Sequence, residues 1–430
     1  MTTDATGTTT AAATGSAAAQ VEDVEAFRLR ARAWIQDNLT RGHAFASLRD
    51  RPDEEELAAV ARDREIQRAL FDAGLAGICF PKEYGGQGLT PAHQSAFNDE
   101  VAGYHYPARL QAPTMVPCAA VLLEFGSEEQ KRQHLPAILK GEEIWMQMLS
   151  EPSSGSDAAG ALTTAVREDD EWVLNGSKIW TTGAWWADWA LVLARTNWDV
   201  PKHRGLSVFI LPIHQQGVDV HRIEMLNGNR EFCQEFFSDV RIPDSDRIGD
   251  IDNGWSVCTR WLFHERMLFH SPFATMPSGG RGGRDSGSAL ALAREVGRGD
   301  DPIARDLVGE AITLELVGDA VTNRVMRGMT TGAMNDQSAA IVRLFGGLAG
   351  ARKTTIAFEL AGGEAGAWAD DDGLATDAGV DQLMRQSACI GGGTTEMARN
   401  VISERVLGMP REVSLDRDVP FRDVPRGSRR

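Results

Sequence analysis

The chain has 430 residues, which is long enough for a large buried core and for two or three structural units. Its 42% hydrophobic and 24% charged residues are typical of a soluble globular protein. The formal net charge of −17 argues against a nucleic-acid-binding protein, which needs a basic surface, but leaves room for a local basic patch. No apolar run is long enough to cross a bilayer, so no membrane association is expected.

The cysteines and histidines give no sign of a metal site or a disulfide framework. The five cysteines are scattered and odd in number, and the nine histidines lack metal-ligand spacing. We therefore expect reduced thiols, no metal and a cytoplasmic location. Residues 1–20 are mostly Thr, Ala and Gly, without the basic start and apolar core of a signal peptide. This composition predicts a disordered tail.

Residues 21–143 are predicted to form an N-terminal helical domain. Apolar residues recur at helical spacing from Val24 to Trp34, and a second helical run follows at 54–75. A Gly- and Pro-rich loop then interrupts the pattern before helical spacing resumes. Ser127 is the predicted N-cap of a further helix, because acids follow it in what would be the first turn.

Between residues 144 and 253 the pattern changes to that of a β domain. Short runs rich in β-branched and aromatic residues, such as 189–193 and 206–211, are separated by turn residues. They predict hairpins in a barrel- or sandwich-like domain. Asn175-Gly176 is the strongest hairpin signal, and a turn there would bring Trp180 back towards Ser150.

The stretch 150–157 reads Ser-Glu-Pro-Ser-Ser-Gly-Ser-Asp and carries little side-chain bulk. Backbone N–H groups and hydroxyls in such a turn suit phosphate oxygens or the polar edge of a heterocycle. From these residues alone, a surface turn followed by an ordinary hairpin, with Trp180 in the core, is the alternative interpretation.

Helical spacing returns over 254–410, which predicts a C-terminal helical bundle. A segment rich in Gly, Ser and Arg at 277–288 predicts a flexible loop within it. In the run Trp-Leu-Phe-His-Glu-Arg-Met, Glu265 shares a helix face with apolar residues. A carboxylate in such a place either forms a structural salt bridge, for which Arg266 is the candidate, or has a raised pKa that suits a base.

The segment 391–400 begins with three glycines and continues with Thr394, a predicted helix N-cap. A glycine-rich backbone leading into a helix N-terminus favours anions. Glu396 lies in the first helical turn, where an acid complements the helix dipole. Residues 411–430 alternate in charge and predict an extended tail. The order helices, strands, helices indicates the α+β class.

Together these segments resemble the acyl-CoA dehydrogenase family, in the same order and over about residues 21–411. The resemblance implies an N-terminal helical domain, a middle β domain and a C-terminal four-helix bundle. It implies an FAD-dependent enzyme that converts an acyl-CoA to the trans-2-enoyl thioester, the β-hydride passing to flavin N5. It also implies reoxidation by an electron-transfer flavoprotein, and a dimer or tetramer of like or unlike subunits.

The same resemblance assigns the site. Glu265 matches the base of the isovaleryl and long-chain members, with Arg266 beside the substrate. The commoner base of the family falls at Gly392, where only the backbone amide remains to polarise the thioester carbonyl, next to Gly393 on the substrate side. Ser156 would face substrate as well as flavin. The implied flavin contacts are Met148, Leu149, Ser150, Ser156, Trp180, Thr181, Thr182, Glu359, Gly362, Gly363, Thr394 and Glu396.

Two motifs depart from the family pattern. The Arg-Phe-Gly motif that reaches the FAD of a neighbouring subunit is not found after the Glu265 helix. The usual Gln-x-x-Gly-Gly begins here with Glu359, and a glutamate near an anionic pyrophosphate is not a neutral exchange. These departures resemble an actinobacterial-type branch that acts on steroids and other bulky acyl-CoAs, in which two different subunits share each flavin.

Three other functions remain open from the sequence. A flavin-sharing or non-catalytic subunit of a heteromeric acyl-CoA dehydrogenase would carry less than one flavin per chain. A flavin oxidase or monooxygenase on the same fold would turn over with oxygen. A dehydrogenase of carrier-protein thioesters would be inactive on free CoA esters.

Overall fold

The computed structural model of the chain describes residues 21–42, 52–268, 271–273, 275, 286–366, 373–414 and 416–425. Within these ranges a group of helices comes first, an eight-stranded sheet follows, and a second group of helices completes the fold. This order confirms the predicted α+β class. The predicted tail at 1–20 lies outside the described residues.

The helices before the sheet are α1 (Val24–Asn38), α2 (Asp53–Asp72), α3 (Pro91–Val101), α4 (Ala108–Pro113), α5 (Ala120–Phe125) and α6 (Glu128–Lys140). A π-helical turn, Thr114–Ala119, joins α4 to α5. Ser127 caps α6 as predicted: its hydroxyl accepts from the Gln130 N–H at 3.1 Å, and the Gln130 side chain accepts from the Ser127 N–H at 2.9 Å. This reciprocal pair satisfies two backbone donors at the helix start.

The sheet contains β1 (Trp145–Met148), β2 (Thr164–Glu168), β3 (Glu171–Thr182), β4 (Trp189–Arg195), β5 (Leu206–Pro212), β6 (Val218–Arg222), β7 (Phe232–Pro243) and β8 (Arg247–Ile248). The strand order is β6-β7-β3-β2-β4-β5-β8, and β1 adds parallel to β4. One apolar core holds Trp145, Leu191 and Trp261 between the sheet and neighbouring helices, and a second core holds Met146 and Met148. Successive residues of β1 therefore belong to different cores, as expected for a strand.

The predicted hairpin turn at Asn175-Gly176 is wrong, because both residues lie inside β3. The connection from β2 to β3 is instead Asp169-Asp170, where Asp169 has φ 54°. Gly176 has φ 144° at a register shift, and a Cβ there would lie 2.7 Å from the Cα of Thr163. The glycine therefore permits a close backbone approach within the sheet rather than a turn.

The helices after the sheet are α7 (Gly254–Arg266), α8 (Ser286–Glu295), α9 (Pro302–Thr330), α10 (Ala339–Ala361), α11 (Leu374–Met384) and α12 (Thr395–Val401). Helix α7 starts directly on β5, since a Cβ on Gly254 would lie 2.6 Å from the backbone of Leu206. Because α8 begins at Ser286, residues 286–288 of the predicted loop are helical, and residues 277–285 lie outside the described part of the chain.

The described part of the C-terminal tail packs against the β domain. Phe421 is 3% exposed and stacks on Trp198 with ring centroids 5.4 Å apart. The Arg195 guanidinium lies 3.9 Å from the Phe421 ring centroid. The charge pattern at 411–430 indicated only an extended tail, so this docking was not predicted.

No helix in the described ranges is long and apolar enough to span a membrane. The same residues contain no group of three or more His, Cys, Asp or Glu side chains that could hold a metal ion.

Candidate active site

A buried carboxylate holds the turn at 150–157 in place. Glu151 accepts backbone hydrogen bonds from residues 162–163 at 2.6 and 3.0 Å, and from Lys178 Nζ at 2.9 Å. Lys178, on β3, is fully buried and also donates to the Leu149 carbonyl at 3.1 Å. Although burial opposes ionisation, the ammonium and the backbone donors hold the pKa of Glu151 below its ordinary value. Breaking one side of such a pair is costly, so it fixes this turn against β3.

Trp180 is an exposed aromatic residue at an irregularity of β3. The register shifts between Ile179 and Thr181, and Trp180 takes φ 67° with a side chain 51% exposed. A positive φ strains the backbone of a bulky residue, and exposure of a large aromatic ring to solvent is also unfavourable. Such costly features are typical of a functional position. The Ile179 N–H donates to the Ser150 carbonyl at 2.9 Å, so Trp180 lies beside the turn at 150–157.

Helix α7 is tied to both the N-terminal helices and the sheet. Arg260 donates twice to Glu124 on α5, both at 2.8 Å. The indole N–H of Trp261, which is 0% exposed, donates to Gln147 Oε1 on β1 at 2.6 Å. Glu265 follows Trp261 by one helical turn and therefore lies on the same face of α7, towards β1.

Groups from four elements interact electrostatically with the Glu265 carboxyl. They are Arg266 and Cys258 on α7, Arg343 on α10, Gln147 on β1 and Cys118 in the π-helical turn. Glu265 is partly exposed, yet burial of its carboxyl raises its pKa, and the two guanidinium groups and the Gln147 amide offset this rise only partly. A carboxyl of raised pKa beside open space can act as a general base.

Arg343 contacts the turn that contains Gly391, Gly392 and Gly393, which is called the glycine turn below. It donates to the carbonyls of Ala388 and Gly391 at 3.0 and 2.6 Å. Its Nε is buried and has no hydrogen-bond partner among the described residues. A Cβ on Gly392 would lie 3.7 Å from that Nε. Arg343 therefore lies against Gly392 and also acts electrostatically on Glu265, two residues that the sequence predicted separately.

Sequence comparison identifies the family to which the chain belongs. The profiles of the acyl-CoA dehydrogenase N-terminal, middle and C-terminal domains match residues 22–142, 147–240 and 252–407. Acyl-CoA dehydrogenase IpdE1 of Mycolicibacterium smegmatis is 32% identical, over 91% of this chain and 99% of that protein. The chain belongs to the acyl-CoA dehydrogenase family. It is an oxidoreductase with acyl-CoA dehydrogenase activity.

Solved structures of this family share its fold. The Tcur3481-Tcur3483 steroid ACAD aligns with a TM-score of 0.72 and 27% identity, covering 90% of this chain and 98% of that one. The ChsE4-ChsE5 complex from Mycobacterium tuberculosis aligns with a TM-score of 0.67 and 26% identity, covering 92% and 100%. Both names join two polypeptides, so relatives of this acyl-CoA dehydrogenase form hetero-oligomeric complexes.

Acyl-CoA dehydrogenases typically bind FAD, and the residues present fit a flavin. A Cβ on Gly155 would meet no atom of the described residues within 4 Å, and Ser156 beside it is exposed, so the turn is open to a phosphate. Thr182, two residues after Trp180, is exposed, whereas Thr181 is buried and donates to Glu235 on β7 at 2.9 Å. Of the remaining predicted contacts on this side, Leu149 and Ser150 are partly exposed and Met148 is buried.

The start of α12 forms as the sequence predicted. The Thr394 hydroxyl accepts from the Met397 N–H at 3.0 Å, which confirms the N-cap. Gly392 and Gly393 take φ 70° and 93°, conformations that glycine adopts without strain. The Glu396 carboxylate is exposed and pairs with Arg399 at 3.1 Å.

Glu359, Gly362 and Gly363 lie at the other end of α10. Glu359 pairs with Arg352 at 3.1 Å. At the helical rise per residue, it is about 24 Å along the helix axis from Arg343. A single acyl-CoA dehydrogenase chain therefore keeps these three residues apart from the glycine turn, which is compatible with the predicted contact to a neighbouring subunit's flavin.

Sequence reasoning missed Gln147 and Arg343. Both signals were present: Arg343 interrupts the apolar run 339–345, and Gln147 is the polar residue of the otherwise apolar strand β1. A polar residue inside an apolar segment points to a specific partner, since burying it without one is costly.

Proposed function

We propose that the chain catalyses FAD-dependent α,β-dehydrogenation of an acyl-CoA to the trans-2-enoyl thioester, with Glu265 as the base. The observation that carries the proposal is that Arg343, which lies against Gly392, also acts electrostatically on the Glu265 carboxyl. The α C–H bond breaks with its proton going to the Glu265 carboxylate. Its electron pair forms the double bond as the β-hydride leaves. Bound FAD supplies the hydride acceptor at N5.

The surroundings of Glu265 suit removal of a weakly acidic proton. Burial raises the proton affinity of the carboxylate, which favours its role as acceptor. Arg266 and Arg343 oppose that rise in pKa and so favour the ionised form that accepts the proton. Arg266 is also assigned to the substrate side of the site.

The glycine turn supplies the complementary electrophilic group. The Gly392 N–H, next to Gly393, would donate to the thioester carbonyl and stabilise the charge that develops on its oxygen. Arg343 binds the carbonyls on either side of Ile390 and so holds the turn in place for this purpose. Absence of a side chain at Gly392 leaves the space above the turn to the substrate and to Glu265.

FAD would lie against the segments 148–150 and 180–182. Exposed Trp180 and Thr182 are assigned to the ring system, and Ser156 to the pyrophosphate and the substrate. Thr394 and Glu396 are assigned to flavin contacts at the glycine turn. Electron-transfer flavoprotein is the proposed oxidant of the reduced cofactor. The working domain bounds are 21–143, 144–253 and 254–410.

The base assignment is tested by α-proton exchange. Octanoyl-CoA and cholanoyl-CoA are incubated with the FAD-loaded protein in D₂O, and deuterium at the α-carbon is followed by mass spectrometry. Glu265→Gln is expected to slow exchange by about 10²–10⁴-fold, because the proton acceptor is lost. Glu168→Gln, an exposed acid on β2, serves as the control. Exchange that survives in Glu265→Gln but is lost in Glu396→Gln would place the base on α12 instead.

We further propose that the substrate is a steroid-derived acyl-CoA and that the flavin is shared with a different subunit. The relatives named as a steroid ACAD and as a two-polypeptide complex support both points. The acidic Glu359, where the family carries a neutral residue, adds support because it disfavours an anionic pyrophosphate in a complex of like subunits. Cholanoyl-CoA reacting faster than octanoyl-CoA is the expected result for substrate class.

A further inference from the structure

Gln147 occupies a special position between the sheet and helix α7. It is on β1, on the same face as Trp145, whereas Met146 and Met148 belong to the opposite core. Its side chain acts on two residues of α7. Oε1 accepts the indole N–H of Trp261 at 2.6 Å. Glu265 follows Trp261 by one helical turn on the same face of α7, and Gln147 lowers the pKa of its carboxyl.

The contact with Trp261 determines which way the amide of Gln147 faces. An indole N–H can only donate, so the atom opposite it must be the carbonyl oxygen. The NH₂ group then points away from the Trp261 indole and is available as a donor to the Glu265 carboxyl. Trp261 is completely buried and cannot rotate without disturbing the core around it, so the orientation is fixed.

We propose that Gln147 is a positioning residue for the Glu265 carboxylate, and that Trp261 fixes the amide orientation on which this depends. The inference rests on the proposed role of Glu265 as the base. A hydrogen bond from a rigid amide holds one rotamer of the carboxylate, and it stabilises the ionised form that accepts the proton. The pair Gln147–Trp261 thereby links the base to β1, the strand that leads into the turn at 150–157.

Several other groups act on the same carboxylate and must be separated from Gln147. Arg266 on α7 and Arg343 on α10 also favour its ionised form. Burial, reinforced by the charge of Glu265, raises the pKa of the Cys118 and Cys258 thiols, so they do not compete for the proton at neutral pH. Gln147 differs from the two arginines in carrying no charge, so its removal should change directional bonding without altering the net charge of the site.

The test is the pH dependence of kcat/KM in Gln147→Met and Trp261→Phe, using whichever of octanoyl-CoA and cholanoyl-CoA the wild type oxidises faster. Methionine matches glutamine in length but donates no hydrogen bond. We expect the acid limb of the profile to move up by about one pH unit in Gln147→Met, with an approximately tenfold loss below neutral pH and a much smaller loss on the alkaline plateau. Trp261→Phe should move the acid limb in the same direction by a smaller amount, because the Gln147 amide can then rotate and exchange its oxygen and nitrogen positions.

Gln94→Met is the matched control, since Gln94 is also a buried glutamine but bonds Asn98 on α3. It should keep the wild-type profile. A uniform loss at every pH in Gln147→Met, or an unchanged profile, overturns the inference. If Glu265→Gln remains active, the proposed base is wrong; if it is inactive while Gln147→Met titrates as wild type, only the positioning role fails.

A second readout does not depend on turnover. The unfolding free energy of the wild type and of Gln147→Met is measured against pH, and the same pair is measured again with Glu265→Gln added to each protein. Loss of the amide donor should steepen the decline of stability with rising pH only where Glu265 is retained. Equal effects of Gln147→Met on the pH dependence with and without Glu265→Gln would contradict the contact.

Discussion

At the scale of single residues, burial raises the proton affinity of several acidic side chains of this enzyme, among them Glu265 and Glu235. Glu265 borders open space and has cationic neighbours, which is a useful combination for a base. Glu235 on β7 is instead 0% exposed, and its Oε2 accepts from the Thr181 hydroxyl at 2.9 Å. Its Oε1 has no hydrogen-bond partner among the described residues. Burial raises the pKa of Glu235 to about 8, with Thr181 and Lys178 opposing the shift.

The raised pKa of Glu235 predicts a pH-dependent stability. The pKa of Glu235 in the folded state lies above its ordinary value of 4.5, so folding favours the protonated side chain. The contribution of Glu235 to the unfolding free energy is therefore fully present below about pH 4.5 and is lost as pH rises through about 8. Relative to Glu235→Gln, the wild type should lose about 2 kcal/mol of unfolding free energy between about pH 6 and 9. Urea unfolding at several pH values measures this.

Asp219→Asn, at an exposed position of β6, is the control for that comparison and should follow the wild-type pH dependence. Parallel curves for wild type and Glu235→Gln would show that Glu235 does not change its charge across this range.

At the scale of elements, strand β3 carries two irregularities with different purposes. Gly176 lets β3 approach Thr163 closely, and Trp180 leaves the regular backbone conformation to expose its ring beside the Ser150 turn. The first feature serves the sheet and the second is assigned to the cofactor. Substitution at each should therefore have separable effects.

Gly176→Ala is expected to destabilise the protein by about 2–4 kcal/mol, because it combines a 2.7 Å approach to Thr163 with φ 144°. Gly309→Ala, at an exposed helical position where a Cβ would meet no described atom within 4 Å, should instead stabilise by about 0.5–1 kcal/mol. Urea unfolding compares the two. Equal effects would mean that the close approach in β3 is relaxed in solution.

Elements with local signals could be predicted from the sequence, and contacts between distant segments could not. The caps at Ser127 and Thr394 were correct because capping depends on a few adjacent residues. The Asn175-Gly176 turn was wrong because the same dipeptide also suits a bulge, and only the pairing with β7 decides between them. Arg343 was missed because its partners at 388–391 and 265 are brought to it only by helix packing.

At the scale of the whole molecule, the separation within α10 bears on assembly. Arg343 lies at the glycine turn, whereas Glu359 is at the far end of the same helix and is paired with Arg352. A flavin bound at the glycine turn of one chain would therefore not reach Glu359 of that chain, which could instead lie near the flavin of a neighbouring subunit. This arrangement supports a contact with the flavin of a neighbouring subunit, and the charge of Glu359 supports the proposal that the two subunits are unlike.

The proposal of a shared flavin predicts low FAD content when the chain is purified alone. Glu359→Gln should raise the FAD-to-chain ratio, because it removes a negative charge from the position assigned to the pyrophosphate of a like subunit. The visible flavin absorbance and the protein concentration give the ratio. Glu310→Gln, which also removes a partner of Arg352, is the matched control. Near one FAD per wild-type chain would contradict the need for a different subunit.

Oxidation of an acyl-CoA by means of Glu265 is tested most directly by anaerobic bleaching of the flavin bound to this chain. The FAD-loaded protein, with its partner subunit if the chain alone is colourless, is titrated with octanoyl-CoA and cholanoyl-CoA while the visible spectrum is recorded. We predict that at least one thioester bleaches the wild type and that Glu265→Gln, carrying the same amount of FAD, stays yellow. Equal bleaching of both proteins would contradict the account.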